Sequence, residues 1–429
     1  MSFKDNFCPS PWFHTRINNS GNYEYCRWAV KHDRQGLPGI KTQSPVRWFQ
    51  TGMSDIRQQM LDGQRPEGCT ECYQVEKHGK VSGRQRQLLK IGVTVEDFDK
   101  TMLSTPWLTE FKNTKERNGD TDQLPQDWQI DLGNFCNSAC LFCEPHSSSR
   151  LATEYKKVGL IKELPPSAWC DDPASLKMFI DTLERTPRLA YLHFIGGETL
   201  ITPAFKTILQ ALVDNNLCQQ ISIGFTTNLT TWNSDIVKLL CEFKEINLGM
   251  SVECLHPLND YVRYGGTLAT TEKLMKRWID VGRQQGWLMQ IRITPTMLSV
   301  WHLDTIYQFA MEQGLAVESC NFLNDPPFMR PTVLPMEYRQ QVINRLQSWV
   351  DQQNIVESGK IINTRNPNWV AQQMVQDAKS YIEYLLNEPD ESHRLPDLVR
   401  YLKTMEQLRK NSVLDYIPEY EQLLRSAGY

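Results

Sequence analysis

The stretch WQIDLGNFCNSACLFCEPH, Trp128 to His146, decides how the whole chain is read. Its first six residues are β-type, and the loop after them carries Cys136, Cys140 and Cys143, with no further cysteine before Cys170. A loop that follows a strand directly lies at the strand's C-terminal end, where α/β folds place their chemistry. Three thiolates on such a spacing cannot close a structural zinc site, which takes four ligands, and they lack the fourth cysteine of a ferredoxin run. A 4Fe-4S cube held by three cysteines, by contrast, keeps one iron open to a ligand that is not protein.

Outward from this loop, short β-type runs alternate with helical patterns. WQIDLG (128–133) is followed by LAYLHFIGG (189–197), ISIGFTTN (221–228), INLGMSVE (246–253), MQIRITPT (289–296) and AVESCNFL (316–323). Helices are predicted over 174–187, 203–216, 234–243, 270–284 and 302–313. Six strands in βα alternation argue for a parallel sheet, open or closed. Period-2 alternation puts Ile221, Ile223 and Phe225, then Leu248, Met250 and Val252, then Ile291 and Ile293 on one side. The other side is polar: Ser222, Gly224, Thr226 and Asn228; Gly249, Ser251 and Glu253; Gln290, Arg292 and Thr294. That face is either exposed or curled around a ligand, and βα connectivity favours curling, since parallel sheets rarely leave a face in water. After Pro335 the pattern is helical and polar. Residues 1–90 are rich in Gly, Pro, Asn and aromatics, with helical periodicity only around Ser54–Asp62.

The chain of 429 residues is long enough for two or three domains, or one barrel with additions. A formal charge of −4 gives no basic excess of the kind that marks nucleic-acid binding. MSFKDNFCPSPW has no charged region followed by an apolar stretch, and no run of about 18 apolar residues occurs, so neither a signal peptide nor a membrane span is expected. A cytoplasmic location is expected, where twelve cysteines mean metal binding or buried thiols rather than disulfides.

Cys136, Cys140, Phe142 and Cys143 meet the pattern C-x3-C-x-aromatic-C, and on these residues the chain resembles the radical S-adenosylmethionine (SAM) enzymes. The resemblance implies that the open iron is chelated by the amino and carboxylate groups of SAM. FIGGETLITP resembles the GGE motif of that family, with Gly196, Gly197 and Glu198. Two glycines let backbone approach a ligand, and the carboxylate can accept from an ammonium group, which the family assigns to the methionine part of SAM. By the same resemblance Thr227, Asn228, Ser251 and Glu253 contact the methionine and ribose, and Arg263 or Arg292 pairs with a carboxylate of SAM or substrate.

Cys8, Gly21 and Cys26, with Cys69 and Cys72, resemble the C-x9–15-G-x4-C opening of the SPASM and twitch modules, which carry auxiliary iron-sulfur clusters. Those modules usually follow the barrel, whereas here the motif precedes it. FCPSPW (7–12) is similar to a group of radical SAM proteins with this arrangement. A four-cysteine zinc site satisfies the same spacing. Lys80, Arg84 and Arg86 could frame an anionic substrate, though a charge run is usually a solvated face. Cys170, Cys218, Cys241, Cys254 and Cys320 read as buried free thiols, with Cys254 also a candidate hydrogen-atom donor.

The expectation is an α/β fold: a partial (β/α)6 radical SAM barrel over 125–330, an N-terminal twitch-like iron-sulfur module over 1–100 and a C-terminal helical extension over 335–429. By resemblance the protein is an enzyme that cleaves SAM reductively to a 5′-deoxyadenosyl radical and abstracts a hydrogen atom from a peptide or amino-acid-derived substrate. The implied cofactors are the SAM-binding 4Fe-4S cluster, an auxiliary 4Fe-4S cluster and SAM, and the implied partner is an electron donor such as flavodoxin or ferredoxin. The competing readings are a radical SAM enzyme acting on a small sugar- or nucleotide-type metabolite, and a non-catalytic zinc-stabilised binding protein.

Overall fold

In the computed structural model, residues 3–29, 38–77, 79, 81–319, 322–354 and 367–429 are described. They fall into two compact units: Met1–Asn134 with Pro166–Phe225 and Asn233–Ile246, and Phe135–Pro165 with Thr226–Trp232 and Asn247–Tyr429.

In the first unit, β1 (His14–Ile17) pairs antiparallel with β2 (Tyr23–Glu24) and parallel with β3 (Asp127–Asp131). Parallel pairing continues from β3 to β4 (Tyr191–Ile195) and on to β5 (Ser222–Thr227, its last two residues belonging to the second unit). The register aligns His14, Asp127, Tyr191 and Ser222 in one row. On the apolar face, Trp128, Phe194 and Phe225 are fully buried under two helices, Pro173–Glu184 and Pro203–Asp214. Phe179 meets Trp128 edge-on at 5.3 Å, and Phe205 lies 4.9 Å from Phe194 and 5.7 Å from Phe225. The first of these helices starts where Asp172 accepts from the Ser175 amide at 3.0 Å and Pro173 presets the first turn.

The opposite face is charged and buried. Asp127 takes His14 Nδ1 at 3.0 Å, Arg27 at 3.3 Å and Lys90 at 2.7 Å, and Asp131 pairs with Arg16. Strand β1 was not among the six expected: four residues, two of them charged or titratable, carry no strand signal of their own. In the N-terminal part the helix expected around Ser54–Asp62 is present as Ser54–Leu61, and two more, Thr70–Lys77 and Gly83–Lys90, go beyond what the composition predicts. The last is started by a capping box between Ser82 and Gln85. A core of Phe7, Trp12, Met60, Leu88, Phe98 and Phe111 holds these segments together. Beside it, the fully buried Arg57 donates to the carbonyls of Phe49, Pro11 (2.9 Å) and Gly119 (3.2 Å).

In the second unit, β6 (Glu245–Ser251, its first two residues belonging to the first unit), β7 (Leu288–Ile293) and β8 (Ala316–Ser319) run parallel. Helices Leu268–Gln285 and Leu303–Gln313 alternate with them along the chain, and Leu248, Met250, Val252, Ile291 and Ile293 are buried as the alternation requires. Helices Met336–Asp351, Pro367–Asn387 and Leu395–Arg409 follow. The fold is α/β, six parallel strands alternating with helices as in a partial (β/α)6 barrel, with helices C-terminal to it. Among the described residues no helix is long and apolar enough to cross a membrane.

The charged row makes stability depend on pH. Burial, against the pull of Asp127, holds the His14 imidazole near pKa 4 instead of 6.5, so the folded state carries it neutral, with Nδ1–H donated to Asp127. A chain unfolded between pH 6.5 and 4 gains a proton that the folded chain refuses. Stability is therefore full above about 6.5 and falls by about 3 kcal/mol as pH drops to about 4. Urea unfolding of His14→Gln should show a flatter fall across that window than wild type; equal slopes would refute the assignment.

Candidate functional site

The cysteine loop belongs to the second unit, where backbone and side chains fix it closely. Cys140 is buried; Cys136 and Cys143 are half-buried. Burial pushes the Cys143 thiol up, and the neighbouring Cys140 and Cys136 add to the shift, so the three sulfurs share one electrostatic environment. The Ser138 backbone amide donates to the first sulfur, Cys136 Sγ, at 3.4 Å. Cys136 N donates to Ser149 Oγ at 3.2 Å, at the start of helix Ser149–Lys157. Phe142 is half-buried beside Cys143, and Phe135 stands exposed at the loop's entry.

Asn228, buried in the same unit, holds the loop. Its Nδ2 donates to Asn137 Oδ1 at 2.8 Å and Ser138 Oγ at 3.0 Å, and lies 3.9 Å from Cys136 Sγ. Its Oδ1 accepts from Thr230 Oγ1 at 2.6 Å, which in turn accepts from Asn137 Nδ2 at 2.8 Å, so the three side chains close a ring. The hydroxyl of Thr227 accepts from the Leu229 amide at 3.2 Å.

Glu253 is buried and held at both oxygens, by Arg263 Nη1 at 2.9 Å and by the Thr294 amide at 2.8 Å. Burial raises its pKa, and Arg263 and the Thr294 amide oppose that rise. Burial also works against the charge on Arg263, yet Cys140 and Glu253 keep it firmly protonated. Arg292 pairs with Glu318 at 3.0 Å, and Ser251, half-buried, lies in register with it. Gly249 is where Arg292 crosses the sheet: a Cβ there would stand 2.4 Å from Arg292 Nε. Cys254 is fully buried, its thiol donating to the His256 carbonyl at 3.8 Å and pushed up to about 12 by burial.

The GGE stretch lies in the first unit, after β4. Gly196 has φ +93°, and a Cβ there would come within 2.8 Å of the Gly133 carbonyl, so only glycine fits between the two strand ends. Glu198 is buried and accepts from the Leu200 amide at 3.2 Å as the cap of a short turn.

The same unit gathers Cys8, Cys26, Cys69 and Cys72 around one cavity, lined also by Trp28, Tyr73 and Arg84. Cys69 and Cys72 lie one turn apart where a 3-10 turn runs into helix Thr70–Lys77, and so share a side. Gly21 has φ +85°, and a Cβ would meet the Trp169 side chain at 2.7 Å. Burial raises the Cys8 thiol, and Cys26, Cys69 and Cys72 raise it further; Cys72 is pushed up to about 12. Arg84 is not a solvated charge: it is buried, paired with Glu76 at 2.7 Å and donating to the Phe7 carbonyl at 3.3 Å, because the helix face it occupies points at the cavity. Arg86 is exposed, and Lys80 lies outside the described residues. Cys170 and Cys218 are buried as expected, Cys241 is exposed because it follows the last turn of helix Ser234–Leu240, and Cys320 lies outside the described residues. Among the described residues no group of three or more His, Cys, Asp or Glu is arranged to hold a metal ion.

Sequence reasoning missed Asn137, Ser138 and Ser149, which only their position beside the cysteines marks, and Tyr401 and Arg409, which nothing local marks. Arg409 Nη2 donates to the Ala139 carbonyl at 2.7 Å, and Tyr401 to the Leu141 carbonyl at 2.9 Å. Together with Arg263, Arg409 sets a positive field at Cys140, opposing the rise that burial and Glu253 impose on that thiol.

Residues 130–296 match the model of the Radical SAM superfamily. No curated protein matches the chain. Among solved structures it is similar to SuiB of Streptococcus suis, at 14% identity and a TM-score of 0.35, covering 70% of this chain and 63% of that one. It is similar to anSMEcpe with bound AdoMet at 17% identity and 0.38, covering 52% and 60%. The radical S-adenosylmethionine methyltransferase TsrM of Kitasatospora setae follows at 14% and 0.33, covering 57% and 43%. The chain thus spans less than two thirds of each.

Asn228→Ala removes both bonds donated to the loop and should cost about 1–2 kcal/mol of stability. Hydrogen exchange should speed up across 136–143 and stay unchanged in the interior of β5; unaltered loop exchange would show that the ring does not fix the loop.

Proposed function

We propose, from the premise that residues 130–296 place this chain in the radical SAM superfamily, that it is a cytoplasmic enzyme that reductively cleaves SAM and abstracts a hydrogen atom from a peptide or amino-acid-derived substrate. The observation that carries the proposal is the trio Cys136, Cys140 and Cys143: three thiols in one environment, on a loop that follows a strand, inside the matched segment. Cys136, Cys140 and Cys143 would hold a 4Fe-4S cluster with one open iron, which would supply the one electron that breaks the C5′–S bond of SAM into methionine and a 5′-deoxyadenosyl radical. The chain's own residues do the rest. Asn228, through Asn137 and Ser138, fixes the loop that bears the sulfurs. Gly196 and Gly197 give backbone room for the methionine moiety, and Glu198 offers its ammonium a carboxylate. Thr227, Ser251, Glu253, Arg263 and Arg292 are assigned to the polar surroundings of SAM and substrate, with Glu253 also holding Arg263 in place.

Cys8, Cys26, Cys69 and Cys72 are assigned to an auxiliary 4Fe-4S cluster. Cys8, Cys26, Cys69 and Cys72 line one cavity, and four thiolates there would give each iron of a cube its own ligand; a tetrahedral zinc ion would take the same four. With four protein ligands such a cluster exchanges electrons and does not chelate substrate. The functional division is accordingly 1–100, 125–330 and 335–429, and the electron donor is of flavodoxin or ferredoxin type. The substrate class rests on the resemblance to twitch-bearing enzymes alone.

Replacing Cys136, Cys140 and Cys143 together by Ala should leave a folded protein that releases no 5′-deoxyadenosine after dithionite reduction with SAM. Release equal to wild type would remove the central claim.

Cys69→Ala with Cys72→Ala should lower iron from about 8 to about 4 per chain while SAM cleavage without substrate persists. Unchanged iron with loss of zinc would assign the N-terminal site to zinc.

A further inference from the structure

Cys140 sits between two residues whose four backbone groups are all tied down. The amides of Ala139 and Leu141 donate to the carbonyls of Tyr264 at 2.7 Å and Val262 at 2.8 Å. Their own carbonyls accept from a helix that the chain reaches about 260 residues later, Leu395–Arg409: Arg409 binds that of Ala139 and Tyr401 that of Leu141. Ala139 and Leu141 are almost fully buried, so a carbonyl left unmet here costs its desolvation.

Both side chains are themselves held. The Tyr155 hydroxyl donates to Tyr401 Oη at 3.0 Å. Arg409 has a side chain 2% exposed, stacks 4.4 Å over the Tyr264 ring and meets Glu154 Oε2 through Nε at 3.1 Å and Nη2 at 2.7 Å. Tyr155 and Glu154 lie on helix Ser149–Lys157, the helix whose first turn binds the amide of Cys136. A guanidinium withdrawn from water is thus fixed one hydrogen bond from the residue before Cys140 and paired with Glu154. In such a medium a fixed charge acts on its neighbours far more strongly than in water.

We propose that helix Leu395–Arg409 is a positioning element for the cluster loop: Tyr401 and Arg409 hold the backbone on either side of Cys140, and the Arg409–Glu154 pair sets the potential felt by a cluster bound there. This rests on the assignment of Cys136, Cys140 and Cys143 as its ligands. Positive charge beside a cluster favours its reduced state, and negative charge disfavours it. The two members of the pair therefore act in opposite directions, a signature that packing alone does not produce.

The experiment uses the full chain with its clusters reconstituted, a redox titration followed by electron paramagnetic resonance, and the SAM-dependent change of signal to identify the barrel cluster. Arg409→Gln keeps a donor for the Ala139 carbonyl but removes the charge; it should lower the reduced-to-oxidised ratio at fixed potential about tenfold, a negative shift of about 59 mV. Glu154→Gln should shift the midpoint the opposite way, and Arg409→Lys should return it toward wild type. Tyr401→Phe should leave the midpoint in place and speed loss of iron to a chelator about tenfold. Midpoints unchanged in both charge variants, or moved in the same direction, would overturn the electrostatic role, and unchanged iron loss in Tyr401→Phe would overturn the positioning role. Should Arg409→Gln fail to fold, the sign of the Glu154→Gln shift decides the electrostatic role alone. A wild-type protein with no SAM-responsive cluster would instead defeat the function proposed for the loop, and so distinguishes the two failures.

Discussion

A strand in a parallel sheet has only two faces, and helices cover one of them; what the other carries must be satisfied by the chain or by what it binds. Most of this structure follows from that constraint. Trp128, Ile130, Phe194, Ile223 and Phe225 face the helices and are fully buried. Asp127, Gln129, Asp131 and His193, on the alternate positions, are buried too, and a carboxylate in that setting is tolerable only when paired. The sheet meets the demand by adding β1, whose His14 and Arg16 reach Asp127 and Asp131, and the N-terminal segments add Arg27 and Lys90. The segments that bring the four N-terminal cysteines together thus also neutralise the charged rows of the sheet.

The six strands were legible because period-2 alternation is a local signal, and their edges moved by no more than a few residues. Strand β1 was not, since HTRI becomes a strand only by pairing with Asp127–Ile130, more than a hundred residues away. The short helices Thr70–Lys77 and Gly83–Lys90 were hidden for a related reason: eight residues are too few to show an apolar stripe, and caps and tertiary packing hold them instead. Arg84 misled because charge in sequence reads as solvation, while its partners, Glu76 and the Phe7 carbonyl, exist only in the fold.

In the candidate site, the same line divides what sequence shows from what it hides. Cys136, Cys140 and Cys143 are legible because one loop carries them, and Gly196 because a positive φ between two strand ends admits little else. Asn228 was named from its place after a strand, but its ring with Asn137 and Thr230 needed coordinates. The pairing of Glu253 with Arg263, ten residues apart in sequence, makes them one group. Tyr401 and Arg409 had no signal at all, because a polar C-terminal helix looks the same whether it grips a loop or merely covers it.

Burial raises the thiols in both cysteine groups, so in each the protein resists forming thiolates that nothing neutralises. That resistance favours metal over the bare thiolate. A cluster held by these cysteines would take the place of the protons and spread the sulfur charge over its irons, which would link binding energy to folding energy. The link has different consequences in the two places. Around the N-terminal cavity the cysteines come from three short segments, and a cluster bound there would add to the core that holds those segments. On the loop after β3 the backbone is already fixed by Asn228 and Ser149, and by Val262 and Tyr264, before any metal is considered. There the fold itself positions the sulfurs.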